Sequence, residues 1–153
     1  MTSPSPEVRA AIDDLYATYL WALDSQDIEL YVSAFWDDAV LKETQLDNTI
    51  QVWHGAAAIR EFTEGHFGGY GGHQHRESTR RYLPAGENRW TLHSYWFTSH
   101  REVQEPSAEV SFFSTGLSND IVELRGDEWR FVQRGISRWP ADPAARLREL
   151  DEA

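Results

Sequence analysis

The chain is predicted to be an α+β protein whose N-terminal helices pack on one face of a curved antiparallel sheet. Two observations carry that prediction. Between Val8 and Leu23 apolar residues recur at three- and four-residue steps (Val8, Ile12, Leu15, Tyr16, Tyr19, Leu20, Leu23), the period of a helix buried on one side. Beyond residue 73 the pattern changes to long runs rich in Thr, Val, Trp, Tyr and Phe, punctuated by Gly, Pro and Asn, which is how strands and turns read. Helices followed by a run of strands define an α+β domain rather than an alternating α/β one.

The elements follow in order. Residues 1–6 hold two Pro and two Ser and are expected to be disordered. The first helix runs from Glu7 to a break at Asp24-Ser25-Gln26-Asp27, with Trp21 and Ala22 widening its apolar face. Asp24 or Ser25 then caps a short second helix, with Asp27 and Glu29 favourable in its first turn, that closes on Phe35-Trp36-Asp37-Asp38-Ala39. A hairpin is expected over 39–53, turning at Asp47-Asn48, and a third helix from Ala56 to Phe67 carries Ile59, Phe62 and His66 on one face. The run GGYGGHQH (68–75) is the main loop and lacks a phosphate-binding spacing. Four strands are expected at 74–83, 89–103, 108–124 and 128–139. Their length implies strong curvature or bulges, with Gly116 a candidate bulge. After Trp139-Pro140 a short charged helix spans 144–153. The organisation is thus a loose start (1–6), one domain (7–140) and a charged tail (141–153).

Composition excludes several classes. With 153 residues the chain fits one domain. It has no Cys, so a disulfide framework, a thiolate metal site and a Cys nucleophile are ruled out. Twenty-five acidic against fourteen basic residues give a formal charge of −11, which opposes nucleic acid and anionic membrane as partners. No stretch reaches the ~20 apolar residues of a membrane span, and the first residues have no signal-peptide character, so a cytoplasmic protein is expected. Seven Trp and 13% aromatics suit both a core and a pocket for flat, apolar ligands.

Asp24 and His75 are the leading chemical candidates. A carboxylate among Tyr19, Trp21 and Leu23 either caps a helix or, paired with an imidazole, orients the ring and stabilises its protonated form. His75 suits proton abstraction or activation of water, or is a solvent-facing strand residue beside Arg76. His73 shares its strand face, and His-x-His can open a metal site with His93 or His100, but no third ligand is defined and no metal is expected. The serines at 94, 99, 111 and 114 show no nucleophile-elbow spacing. Among the strand aromatics (Trp90, Trp96, Phe97, Phe112, Phe113) alternation lets about half face a pocket, without saying which half.

Five segments, Leu23-Asp24-Ser25-Gln26-Asp27, Phe35-Trp36-Asp37-Asp38-Ala39, Trp53-His54-Gly55, His73-Gln74-His75 and Gly126-Asp127-Glu128-Trp129-Arg130-Phe131, occur in an order that resembles the SnoaL-like branch of the nuclear-transport-factor-like superfamily. The resemblance covers roughly residues 8–139 and is similar to that among scytalone dehydratase and bile-acid dehydratase type members. It implies a cone-like α+β barrel with the three N-terminal helices on its concave side. By resemblance Tyr19, Asp24, His75 and Arg138 are the catalytic set. Among the aromatic residues, Trp21, Trp53, Trp96 and Phe112 are expected to contact substrate. Two departures stand out: no His lies near Ser114 or Thr115, and the Asn expected four residues after His75 is Thr79. The implied function is a lyase or isomerase without cofactor, acting on a small, apolar, cyclic compound and assembling as a homodimer or homotrimer through the outer sheet face. The alternative is a ligand-binding module or the small subunit of a ring-hydroxylating dioxygenase.

Overall fold

Ser5 and Pro6 start the first helix, α1 (Pro6–Ser25): Pro6 presets the first helical residue, and the Ser5 hydroxyl accepts from Val8 N at 3.3 Å. The computed structural model describes residues 3–69 and 71–153. Of the segment expected to be disordered, Met1 and Thr2 lie outside the described residues, while Pro4 is buried and Ser5 acts as the cap. Ile12, Leu15, Tyr16, Tyr19 and Ala22 form the buried stripe that the periodicity predicted. The helix stops at Gln26, whose left-handed backbone (φ 60°) turns the chain.

The second helix, α2 (Ile28–Ser33), is capped by Asp27, which accepts from Leu30 N at 2.9 Å. This corrects the expectation that Asp24 or Ser25 caps it; the Ser25 hydroxyl instead donates to the Trp21 carbonyl at 2.7 Å. A second correction follows at once. Phe35 to Ala39 do not close the helix but open a strand, β1 (Phe35–Thr44). Phe131 N donates to the Ala34 carbonyl at 2.9 Å, so a distant strand fixes this backbone as extended.

The other elements are β2 (Ile50–His54), α3 (Gly55–Phe67), β3 (His73–Pro84), β4 (Arg89–His100), β5 (Ser111–Arg125), β6 (Glu128–Arg138) and α4 (Pro143–Glu152). The strands form one curved, unclosed sheet in the order β2-β1-β6-β5-β4-β3. Fold class and curvature are as expected, but the sheet is mixed: β1 runs parallel to β6, while the other neighbouring pairs are antiparallel. That one parallel pairing joins the N-terminal hairpin to the C-terminal meander.

Curvature comes from bulges. In β3 the register shifts between Ser78 and Arg81, with Thr79 at φ 53°. In β5 two residues oppose one step of β4 at Thr98/Ser99, leaving Phe113 as the extra residue. Gly116 is not the bulge expected of it, because it pairs in register with Trp96 and Arg138. It is glycine for want of space: a Cβ there would sit 2.1 Å from the Ser137 carbonyl oxygen and 2.2 Å from the Trp96 ring.

Helices α1 to α3 cover the concave face, where Tyr16, Tyr19, Tyr31, Phe35 and Phe131 make an aromatic core. Tyr19 and Tyr31 centroids are 4.9 Å apart, and Phe35 and Phe131 are 5.4 Å apart. Full burial of one such ring stabilises by ~1.5–3 kcal/mol. The charged tail becomes α4, docked on the opposite face. There Leu150 is buried against Gly135, Lys42 Nζ donates to the Leu150 carbonyl at 2.6 Å, and Asn119 Nδ2 donates to the Leu147 carbonyl at 3.0 Å.

Candidate active site

With Asp27 serving as the cap, Asp24 in the last turn of α1 is left to reach across to β3. Its carboxylate accepts from His75 N at 3.1 and 3.0 Å and lies 2.6 Å from His75 Nδ1. One carboxylate therefore fixes both the backbone and the ring of the third residue of β3. With a proton held on Nδ1 toward Asp24, Nε2 carries a lone pair. The two side chains are only about a quarter exposed, at 22% for Asp24 and 25% for His75.

His75 lines a cavity of about 110 Å³ between the helices and the concave face, with Asp24 behind it. The walls are largely apolar: Leu20 and Leu23 from α1, Phe62 and Phe67 from α3, Trp96, Phe113 and Ile136 from the sheet. Polar groups converge from Tyr19, Tyr31, His66, Thr98, Glu43 and Arg138. The cavity adjoins a cleft of about 570 Å³ lined by Gln45, Gln51, Trp53 and Glu61, and Glu43, Thr44, Phe62, His66 and Arg138 border both.

Beneath the cavity lies a buried ion network. Arg134 donates to Asp120 at 2.5 Å and to Glu77 at 2.8 Å; the Tyr16 hydroxyl donates to Asp120 at 2.7 Å, and Ser94 donates to Glu77. Burial works against the Arg134 charge, but the Asp120 and Glu77 carboxylates outweigh it and raise its pKa well above the usual value. Asp120 is pushed up to about 7, by burial first and by Glu77 next, against the pull of Arg134. The guanidinium carbon stands 4.2 Å from the Tyr19 ring centroid, a cation–π contact. Tyr19 and Tyr31 hydroxyls are 3.2 Å apart, and burial raises the pKa of both phenols, keeping them protonated donors. At the rim, His66 is lowered by burial, then by His75 and His73.

Of the residues singled out from sequence, Tyr19, His75, Trp96 and Arg138 border the cavity together. Others are corrected. Trp21 is 72% exposed, because position 21 falls off the buried stripe of α1. Phe112 is 69% exposed and stacks on Phe97 on the outer face; the bulge turns its neighbour Phe113 inward instead, 4.7 Å from the His73 ring. Trp53 lines the outer cleft, 4.3 Å from Phe62, rather than the cavity. His73 stands 4.6 Å from His100 and 6.4 Å from His75, ring to ring, and no group of three or more His, Asp or Glu among the described residues is arranged to hold a metal ion.

Sequence reasoning missed Arg134, Glu77, Asp120 and Tyr31. Period-two alternation offered a signal for two of them, since Glu77 is two residues beyond His75 and Arg134 four before Arg138. Nothing local marks Asp120.

The chain matches the SnoaL-like domain over residues 5–135 and belongs to that family. Among solved structures it is similar to a protein of unknown function with a cystatin-like fold from Nostoc punctiforme (19% identity, 94% of this chain and 99% of that one, TM-score 0.75). It is also similar to a protein assigned as a scytalone dehydratase from Novosphingobium aromaticivorans (21% identity, 88% and 85%, TM-score 0.70). A third is the beta subunit assigned to an aromatic-ring-hydroxylating dioxygenase of the same organism (15% identity, 88% and 91%, TM-score 0.74). At these identities the likeness concerns the fold. No curated protein matches the chain.

Proposed function

We propose that the protein is a dehydratase-like lyase acting on a small, largely apolar cyclic compound. His75 is the general base, Asp24 orients its ring and stabilises the imidazolium, and Tyr19 with Tyr31 donates hydrogen bonds to a substrate carbonyl. The observation that carries this reading is the 2.6 Å contact between Asp24 and His75 at the wall of an apolar cavity. In the reaction Nε2 takes a proton from the carbon beside the carbonyl, the carbonyl oxygen gains charge against the two phenols, and a hydroxyl on the next carbon leaves as water. Arg134 lies behind Tyr19, so its charge favours the electron-rich intermediate without spending a donor on it. Arg138, on the rim, serves in binding.

A positioned base contributes about 10²–10⁴-fold. With 3-hydroxycyclohexanone as the probe, His75→Ala and Asp24→Asn are each expected to lower enone formation by about that factor. Folded variants that turn over at the wild-type rate would sink the assignment.

A second reading, a ligand-binding partner subunit, draws on the similarity to a dioxygenase beta subunit and on the exposed aromatic face of Tyr95, Phe97, Phe112 and Trp139. Under the leading reading the same face joins copies of this chain as a homodimer or homotrimer. Co-purification with a large iron-containing protein would favour the second reading.

A further inference from the structure

Elimination needs a second proton movement besides the one His75 performs. The hydroxyl on the neighbouring carbon takes up a proton as it leaves, and a donor on the wall facing His75 suits a hydroxyl that departs from the opposite face of the ring. Three residues with titratable side chains border both the cavity and the outer cleft: Glu43, His66 and Arg138. Arg138 stays charged and is no donor at neutral pH. His66 is lowered by burial and by the neighbouring His75 and His73, which favours its neutral form over the imidazolium that would donate.

Glu43 differs from both. It sits on β1, on the same strand face as Leu41, and pairs in register with Ile136 of β6; both of these residues line the cavity. His75 is on β3, at the far edge of the sheet, with β6, β5 and β4 between the two strands. Curvature thus brings the two groups to flanking walls of one cavity. Among the described residues the half-buried Glu43 carboxyl makes no hydrogen bond or ion pair. The other carboxylate that lines the cavity, Glu77, is committed to Arg134, and Asp24 behind the wall is committed to His75. A half-buried carboxyl left unpaired at a cavity neck is costly as an anion and favoured as an acid. Burial indeed raises its pKa above the usual glutamate value, against the attraction of Arg138.

We propose that Glu43 is the proton donor of the site, delivering its carboxyl proton to the departing hydroxyl. This rests on the reading of His75 as base. The step balances: Nε2 removes the proton on C2, the C–H pair becomes the enolate, and collapse of the enolate forms the C2–C3 double bond. The C3–O pair leaves with the oxygen, which takes the Glu43 proton and departs as water. Glu43 is left as carboxylate and His75 as imidazolium, and one proton returns from ring to carboxyl through water in the cleft. No oxidant or co-reactant is required.

The test separates the two steps. In D2O, 3-hydroxycyclohexanone incorporates deuterium at C2 when the base acts and gives 2-cyclohexenone only when the hydroxyl also leaves. Glu43→Gln is expected to lower the ratio of enone formed to deuterium incorporated by about 10²-fold, the scale of a lost acid catalyst. Carbon-13 NMR of the free protein should show the Glu43 carboxyl titrating above its usual value. An unchanged ratio in Glu43→Gln overturns the proposal and leaves His75 standing. A fall in His66→Asn with none in Glu43→Gln assigns the donor to His66 and overturns it too, as does an ordinary titration of Glu43. Wild-type exchange no faster than in His75→Ala overturns both readings.

Discussion

A single buried carboxyl, Asp120, shows how far environment outruns sequence at the level of one residue. It accepts from Tyr16, Arg134 and the Gly135 backbone, yet burial and the nearby Glu77 lift it from 3.8 to about 7. The native state therefore holds this proton more tightly than the unfolded chain. Its contribution to stability is fully present below about pH 4 and is lost as pH rises toward 7. Asp120→Asn removes the titration, so the stability advantage of wild type over that variant is expected to narrow between pH 4 and pH 8. Denaturant melts of both proteins across that range check it; an advantage that widens with pH contradicts the network. Asp24 teaches a related lesson. Its choice between helix cap and imidazole partner was undecidable from neighbours, because Asp24, Ser25 and Asp27 are all competent caps. The cap went to Asp27, and Asp24 met His75 fifty-one positions away.

Elements were more legible than residues. The stripe from Ile12 to Ala22 and the third helix follow from spacing alone, since three- and four-residue steps put apolar groups on one side of a helix. The four long strands also stand close to where alternation and turn residues put them. The misjudged places share a cause. At Phe35–Ala39 a parallel partner overrode a segment that reads as helix, and at Phe113 a bulge reversed which aromatic faces inward. Both depend on a strand distant in sequence. The β3 bulge allows a quantitative statement: Thr79 holds φ 53°, a left-handed conformation that β-branched residues resist and Asn tolerates. Thr79→Asn is therefore expected to stabilise the protein by about 1 kcal/mol. A calorimetric scan should show the midpoint rising by ~2–4 °C; a fall would mean that the threonine makes a compensating contact.

For the molecule as a whole, two faces of one sheet carry different tasks. The concave face, under α1 to α3, holds the cavity; part of the other is covered by α4, while Tyr95, Phe97, Phe112 and Trp139 stay exposed beside it. Exposed aromatics gathered on one face are a feature that interaction surfaces share. If copies of the chain meet there, Phe112→Asp is expected to lower the mass measured by light scattering to that of one chain, about 17.6 kDa. A wild-type protein that already has this mass would turn attention to a different partner.

The sequence by itself determined the fold class, most of the element order and the two residues most worth watching. Helical and strand periods are local, and a pattern of a few residues suffices to express them. The site was decided by tertiary structure. Sheet curvature, produced by the bulges at Thr79 and Phe113, sets which side chains share a cavity, and burial sets the charge each one carries. That is why Arg134, Glu77 and Asp120 came into view only with the fold, and why Glu43, an unremarked strand glutamate, became a candidate acid.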